Sequence, residues 1–174
     1  GTSGNLRYLE VAAAGLRRLA EQIDFELHII VPEIEPLADI NLEGVKVRHV
    51  PWQKETEVDQ LRQLDVGIMS LFAAEDWDRY KCGLKLIQYM AAGIPAVATP
   101  VGVNASIIDH GRNGFLAESD DDWATHLRTL ASDLALRQSI GNAARETAAA
   151  KYSIEANYPR YKAALLRLME ERES

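Results

Sequence analysis

One cysteine, Cys82, occurs among 174 residues, so no internal disulfide can form and stability must come from a packed core. That usage fits a reducing compartment, and the sequence reading is cytoplasmic. Basic residues are outnumbered: 19 Lys and Arg stand against 26 Asp and Glu, a net charge of −7. This balance excludes a general nucleic-acid binder but leaves room for a local basic site that takes a small anion. No apolar run approaches the ~20 residues of a membrane helix. No signal-peptide pattern opens the chain at Gly1. Cys82 has no partner at metal-ligand spacing, and His28, His49, His110 and His126 form no motif, so neither a metal nor another cofactor is expected. Glu75, Asp76 and Asp78 read first as a solvated acidic loop. No Ser-His-Asp arrangement is legible.

What is present is ordinary for a globular protein: 47% hydrophobic and 26% charged residues. The length favours one domain, able to bury about 70% of its unfolded surface. Helical spacing of Leu9, Ala12, Ala13, Leu16 and Leu19 predicts a helix over 6–22. Strands are expected at 25–32, 45–52, 65–71, 95–101 and 114–118. Helices are expected at 57–64, 83–92 and 104–110, with Gly93 ending the second of them. Residues 72–81 read as a loop. Three helices close the chain, at 121–132, 134–150 and 154–172, the last capped by Ser153 and carrying Pro159 near its start. Strands alternating with helices predict a Rossmann-like doubly wound parallel α/β sheet of five or six strands, helices on both faces and a helical tail. Ligands of such sheets bind at the carboxyl ends of the strands. Residues 1–5 form a small-residue loop that enters a helix with no strand before it, so the chain reads as a piece of something longer.

The segment Lys81-Cys82-Gly83-Leu84-Lys85 opens a helix after the strand at 65–71. A helix start offers free N–H groups and partial positive charge to an anion. Gly83 permits close approach of a ligand to the backbone. Lys81 and Lys85 could flank one phosphate, in a helix turn that ordinarily prefers acids; two solvated lysines on a helix face are the equal alternative. Gln88, one turn on, could hydrogen-bond a sugar diol. Gly102, Val103 and Asn104 form a second strand-to-helix turn with backbone donors, and a plain turn capped by Asn104 is the stronger reading of it. Trp52 ends a strand and could flank an aromatic base, although packing at the strand end is the stronger reading from the residues alone.

Residues 83–119, GLKLIQYMAAGIPAVATPVGVNASIIDHGRNGFLAES, resemble the signature region of group 1 glycosyltransferases with the GT-B fold. The likeness runs through the trailing helices and the Lys151-Tyr152-Ser153 entry to the last one. It implies the nucleotide-sugar-binding, C-terminal half of a two-domain enzyme, spanning 1–174, lacking its first strand and the N-terminal acceptor domain. Residues 153–174 would pack toward that missing domain. The resemblance implies metal-independent transfer of a glycosyl group with retention from a nucleoside-diphosphate sugar. Lys85 and Lys81 would neutralise the departing diphosphate, and the Gly83 and Leu84 N–H groups would meet it. Gly1, Thr2, Ser3, Gly4 and Asn5 would be the turn facing the phosphates, with Arg7 the nearest basic residue after it. Val50, Pro51 and Trp52 would line the base pocket, and Cys82 lies in the phosphate loop. Gln88 stands where the family usually has a ribose-binding glutamate, and Tyr80 and Ser106 also stand where glutamates are usual. Asp78 and Tyr80 are the candidates for contacts to the donor sugar. The resemblance therefore leaves a donor domain that is inactive alone and a degenerate, non-catalytic binding or assembly module. A third reading, another nucleotide-sugar enzyme of the same fold such as a non-hydrolysing epimerase, needs acid and base residues that are not legible. Weak self-association through the last helix, and peripheral membrane contact of the full enzyme, stay open.

Overall fold

The structure, a computed structural model, describes residues 3–34, 37 and 39–173. It opens with a 3-10 helix, η1 (Ser3–Leu9), which runs into α1 (Glu10–Ala20). There follow β1 (Glu26–Val31), β2 (Lys46–Pro51), α2 (Glu57–Leu61), β3 (Gly67–Met69), α3 (Asp76–Arg79), α4 (Leu84–Ala92) and β4 (Ala96–Ala98). The chain closes with α5 (Asn104–Ile107), β5 (Phe115–Leu116), α6 (Asp120–Ser132), α7 (Leu134–Tyr152) and α8 (Ile154–Glu173). No helix among the described residues is long and apolar enough to cross a membrane.

The expected strand–helix alternation and parallel pairing are present, with four differences. The five described strands form two separate parallel sheets, β1-β2 and β3-β4-β5, where one sheet was expected. The loop expected at 72–81 holds the short helix α3. Expected strand ends are trimmed: β3 pairs with β4 only over Gly67–Met69, although the apolar run is longer. The 3-10 segment also replaces the loop expected at residues 3–5, while Gly1 and Thr2 lie outside the described residues.

The alternation of β4 shows why helices cover both faces. Ala96 and Ala98 join a core with Leu86 and Met90 of α4 and Ala144 and Ala148 of α7. Val97 points the other way, into a core with Ala12, Leu16 and Leu19 of α1 and Trp123, Leu127 and Leu130 of α6. Leu27 of β1 and Ile68 of β3 pack against that same second core. α1 and α6 thus contribute to a core shared by the two sheets, since no ladder joins β1 to β3 among the described residues. Glycines set the two close helix crossings. A Cβ on Gly15 would lie 2.4 Å from Trp123 Cβ, and one on Gly141 would lie 2.2 Å from the Gly93 carbonyl oxygen.

Local signals fix the later helices. Ser119 and Asp122 form a reciprocal capping box on α6. Asp133 Oδ1 accepts from the Leu136 N–H at 2.9 Å to start α7. Ser153 Oγ accepts from the Ala156 N–H at 3.1 Å, so the expected cap of α8 is formed. Ile154, Tyr158, Tyr161, Leu165 and Leu168 of α8 are all exposed, Ile154 by 80%.

One titratable cluster stabilises the β5–α6 corner. The His126 ring stacks on Phe115 at 4.7 Å and meets His110 edge-on at 5.2 Å. His110 Nδ1 accepts from the Leu116 N–H at 3.1 Å. Burial, then the neighbouring His110, hold His126 below the ordinary histidine range, against the pull of Asp122 toward the charged form. The folded state therefore binds fewer protons at His126 than the unfolded chain. Its contribution is intact above about pH 6.5 and is lost as pH falls below that value. Thermal melts should show a drop in Tm from pH 7 to pH 5 that shrinks in His126→Phe; an unchanged drop would place the acid sensitivity elsewhere. Replacing Gly141 by Val should cost about 1–3 kcal/mol by forcing α7 off α4, measurable by urea denaturation.

Candidate functional site

A cavity of about 890 Å³ opens between the two sheets. Leu16, Leu19, Phe25, Leu27, Ile68 and Leu127 form its apolar lining, and Trp52, Glu57, Lys81, Lys85 and Gln88 contribute polar groups. Cys82, Gly83 and Leu84 line it as well. The expected helix start after β3 is thus at a cavity, beyond the carboxyl end of a parallel strand.

Gly83 adopts φ +66° and carries no side-chain cap for α4. A side chain there would be strained, and its Cβ would lie 2.5 Å from Ile107 Cδ1. The left-handed glycine leaves the first N–H groups of α4 aimed along the helix axis without intrahelical acceptors. Lys81 and Lys85 frame this end. Lys81 Nζ lies 3.3 Å from Asp78 Oδ1 and 3.5 Å from the centre of the Tyr8 ring. Lys85 has no carboxylate partner among the described residues. Burial, and then the charge of Lys81, push its ammonium below the ordinary lysine range. An unpaired, partly buried cation beside a second cation is stabilised when an anion joins them.

Asp78 turns inward. It is fully buried, accepting from the Tyr8 hydroxyl at 2.7 Å through Oδ1 and from the Phe72 N–H at 3.0 Å through Oδ2. Burial alone would raise its pKa, but the hydrogen bonds from Tyr8, Phe72 and Lys81 and the charge of Lys81 hold it below the ordinary carboxylate range. Its carboxylate is spent on positioning Lys81 and Tyr8, so the geometry does not offer it to a donor sugar. Tyr80 is 83% exposed and does not line the cavity. Arg7 pairs with Glu75 at 2.6 Å and with the Tyr8 hydroxyl at 3.0 Å, and it does not line the cavity.

The remaining expected positions divide in the same way. Trp52 lines the cavity and its N–H donates to the Val31 carbonyl at 3.1 Å, fixing it at the end of β1-β2. Val50 and Pro51 belong to β2 itself and are not part of the lining. Gly102, Val103 and Asn104 do not line it either. The space at Gly102 is filled by Arg79, whose carbonyl oxygen would be 2.5 Å from an added Cβ. Asn104 is fully buried and donates to the Thr99 carbonyl at 3.1 Å, so it serves the core and does not face the cavity. Asn5 lines the cavity, while Ser3 Oγ accepts from the Glu33 N–H at 3.2 Å. Gln88 lines it and donates through Nε2 to Glu57 Oε1 at 3.3 Å.

Sequence reasoning missed Tyr8 and Glu57. Tyr8 sits inside a helical stretch where an aromatic reads as core. Glu57 reads as a helix-start acid, and its partner lies 31 residues away. Among the described residues no group of three or more His, Cys, Asp or Glu could hold a metal ion.

The family model described as glycosyl transferases group 1 matches residues 3–133. A D-inositol 3-phosphate glycosyltransferase of Pseudarthrobacter chlorophenolicus is 31% identical over 144 residues, covering 76% of this chain and 33% of that protein. The sulfoquinovosyl transferase of Arabidopsis thaliana is 42% identical over 69 residues, 37% of this chain and 14% of its own. The chain therefore spans about a third of the length, or less, of these curated relatives. Among solved structures, HepE of Anabaena in complex with UDP and glucose gives a TM-score of 0.68 at 18% identity, covering 89% of this chain and 43% of HepE. The C-terminal domain of a group 1 family glycosyl transferase of Francisella tularensis, LpcC, gives 0.62 at 22% identity, covering 87% of this chain and 80% of that one. These two likenesses show the fold. With the family model matched over the sheets and the lysine-framed helix start alike, the chain belongs to the group 1 glycosyltransferases and is built like their C-terminal domain.

Proposed function

We propose that this chain binds the nucleoside-diphosphate sugar donor of a glycosyltransferase, with the diphosphate at the start of α4 between Lys81 and Lys85. The observation that carries this reading is Lys85: a cation without a carboxylate partner, turned into a cavity at a helix start. The UDP and glucose present in the HepE complex support the same ligand class. In transfer, the bond from the anomeric carbon to the diphosphate oxygen breaks and its electrons stay on the diphosphate. The acceptor hydroxyl forms the new bond on the same face, and its proton passes to the leaving diphosphate oxygen. Lys81, Lys85 and the α4 N–H groups stabilise the charge that builds up on the leaving group. This gives retention without a metal ion. The cytoplasmic location expected from the lone cysteine belongs to the same proposal.

Asp78 and Tyr80 do not reach the cavity, and this favours the second reading, a module that holds the nucleotide but no longer transfers sugar. Joining the chain to an acceptor-binding domain and assaying transfer separates the two. In the transferase, that domain would cover the exposed apolar face of α8.

We also propose that a parallel strand leads into η1, as the sequence reading expects. Glu33, just past β1, donates to Ser3 Oγ, while Glu75 and Asp78, past β3, hold Arg7 and Tyr8. Both strands therefore end at η1, and a parallel strand leading into η1 would fit the apolar part of the cavity beside Leu27 and Ile68, leaving its polar rim at α4 to the donor. Adding a six-residue apolar strand before Gly1 should raise Tm by about 4–8 °C, corresponding to ~2 kcal/mol, while a Gly/Ser extension should not. Equal melting of both chains would remove the strand from the gap.

Calorimetric titration with uridine, guanosine and adenosine diphosphates tests the donor site. One of them should bind, and Lys85→Ala should weaken binding roughly 10–100-fold, as expected for loss of a charge-assisted contact. Binding that is indifferent to Lys85→Ala would move the phosphate away from α4.

A further inference from the structure

The cavity has an acidic side as well as a basic one, and the acid comes from outside the phosphate loop. Glu57 opens α2, five residues after Trp52 and across from α4. Its Oε1 accepts from Gln88 Nε2 at 3.3 Å, and its Oε2 has no partner among the described residues. Gln88 itself lies one helical turn beyond Lys85 on α4. The lining thus presents two ammonium groups, a carboxylate pinned by an amide and an indole, while its other carboxylates, Asp24, Glu26 and Asp65, are paired with Lys46, His28 and Arg137.

A carboxylate in a site that attracts a diphosphate cannot face the phosphates, because like charges in a partly buried place repel strongly. It accepts only from donors. A nucleoside diphosphate carries neutral donors on its base and on its ribose. Gln88, which holds Glu57, lies one helical turn from Lys85. The ribose is the part joined to the diphosphate, so the adjacent ribose hydroxyls are the donors a carboxylate beside Gln88 meets. The amide of Gln88 holds one oxygen in place and leaves the other outward.

We propose that Glu57 is the specificity-determining residue for the ribose diol, with Gln88 positioning its carboxylate. The inference rests on the donor-site reading above and deepens it. A carboxylate that reads the diol makes the site discriminate ribonucleotides from deoxyribonucleotides. It also moves this recognition from α4, where the sequence places an amide, to α2.

The test compares uridine and guanosine diphosphates with their 2′-deoxy counterparts by calorimetry, on the wild type, Glu57→Ala and Glu57→Gln. The wild type should prefer the ribose form by roughly tenfold or more, the weight of one good polar contact. Glu57→Ala should weaken the ribose form to the level of the deoxy form while leaving the deoxy form nearly as before. Glu57→Gln, which keeps one acceptor oxygen and the bond from Gln88 within reach, should fall between. Retained deoxy binding and an unchanged melting temperature show that the variants are folded. If Glu57→Ala weakens both forms equally, or neither, Glu57 only ties α2 to α4 and the proposal fails while the donor site stands. If neither diphosphate binds the wild type, the donor-site reading fails and this inference fails with it.

Discussion

The buried carboxylate of Asp78 is the constraint on which the rest of the site depends. It has no access to water, so every lone pair it carries must be satisfied from within. Tyr8 of η1, the Phe72 N–H after β3 and Lys81 before α4 satisfy it together. One acid therefore ties three segments that are far apart in sequence. Lys81 is held over the Tyr8 ring by the same contacts. Because Asp78 neutralises Lys81 and no carboxylate among the described residues neutralises Lys85, the pair of lysines is asymmetric. One is structural as well as electrostatic, and the other keeps its charge uncompensated by an acid.

The second layer of organisation is steric. Glycines let backbones approach at the points where the site is framed. Gly83 brings the start of α4 against Ile107, and Gly102 brings the turn after β4 against Arg79. The turn at 102–104 has the backbone donors of an anion site, yet the protein fills that space with its own α3. Two turns of similar sequence character thus have different fates, decided by which neighbour lies above each of them.

The fold was legible where the determinant is local. Alternating apolar faces, the cap at Ser153 and the left-handed Gly93 are read from neighbouring residues, and the corresponding helices form close to the expected limits. Short or long-range determinants were not legible. α3 has four residues, too few for a helical period. The split into two sheets depends on what lies between β1 and β3, which no local pattern reports. The lysine-framed helix start was visible because Gly83 and the two lysines are adjacent in sequence. The inward turn of Asp78, the capture of Arg7 by Glu75 and the pairing of Glu57 with Gln88 all join distant segments. They became visible only in three dimensions.

The two halves of the cleft are carried by different sheets. Trp52 and Glu57 follow β2, whereas Lys81 and Lys85 follow β3, and α1 packs against strands of both sheets. α1 is accordingly a spacer as well as a core helix. Leu16 and Leu19 line the space between the Trp52 and Glu57 side and the Lys81 and Lys85 side, so a change of one methylene there is felt on both sides at once. The spacing of the polar groups is thus open to change through the hydrophobic core while every polar residue stays the same.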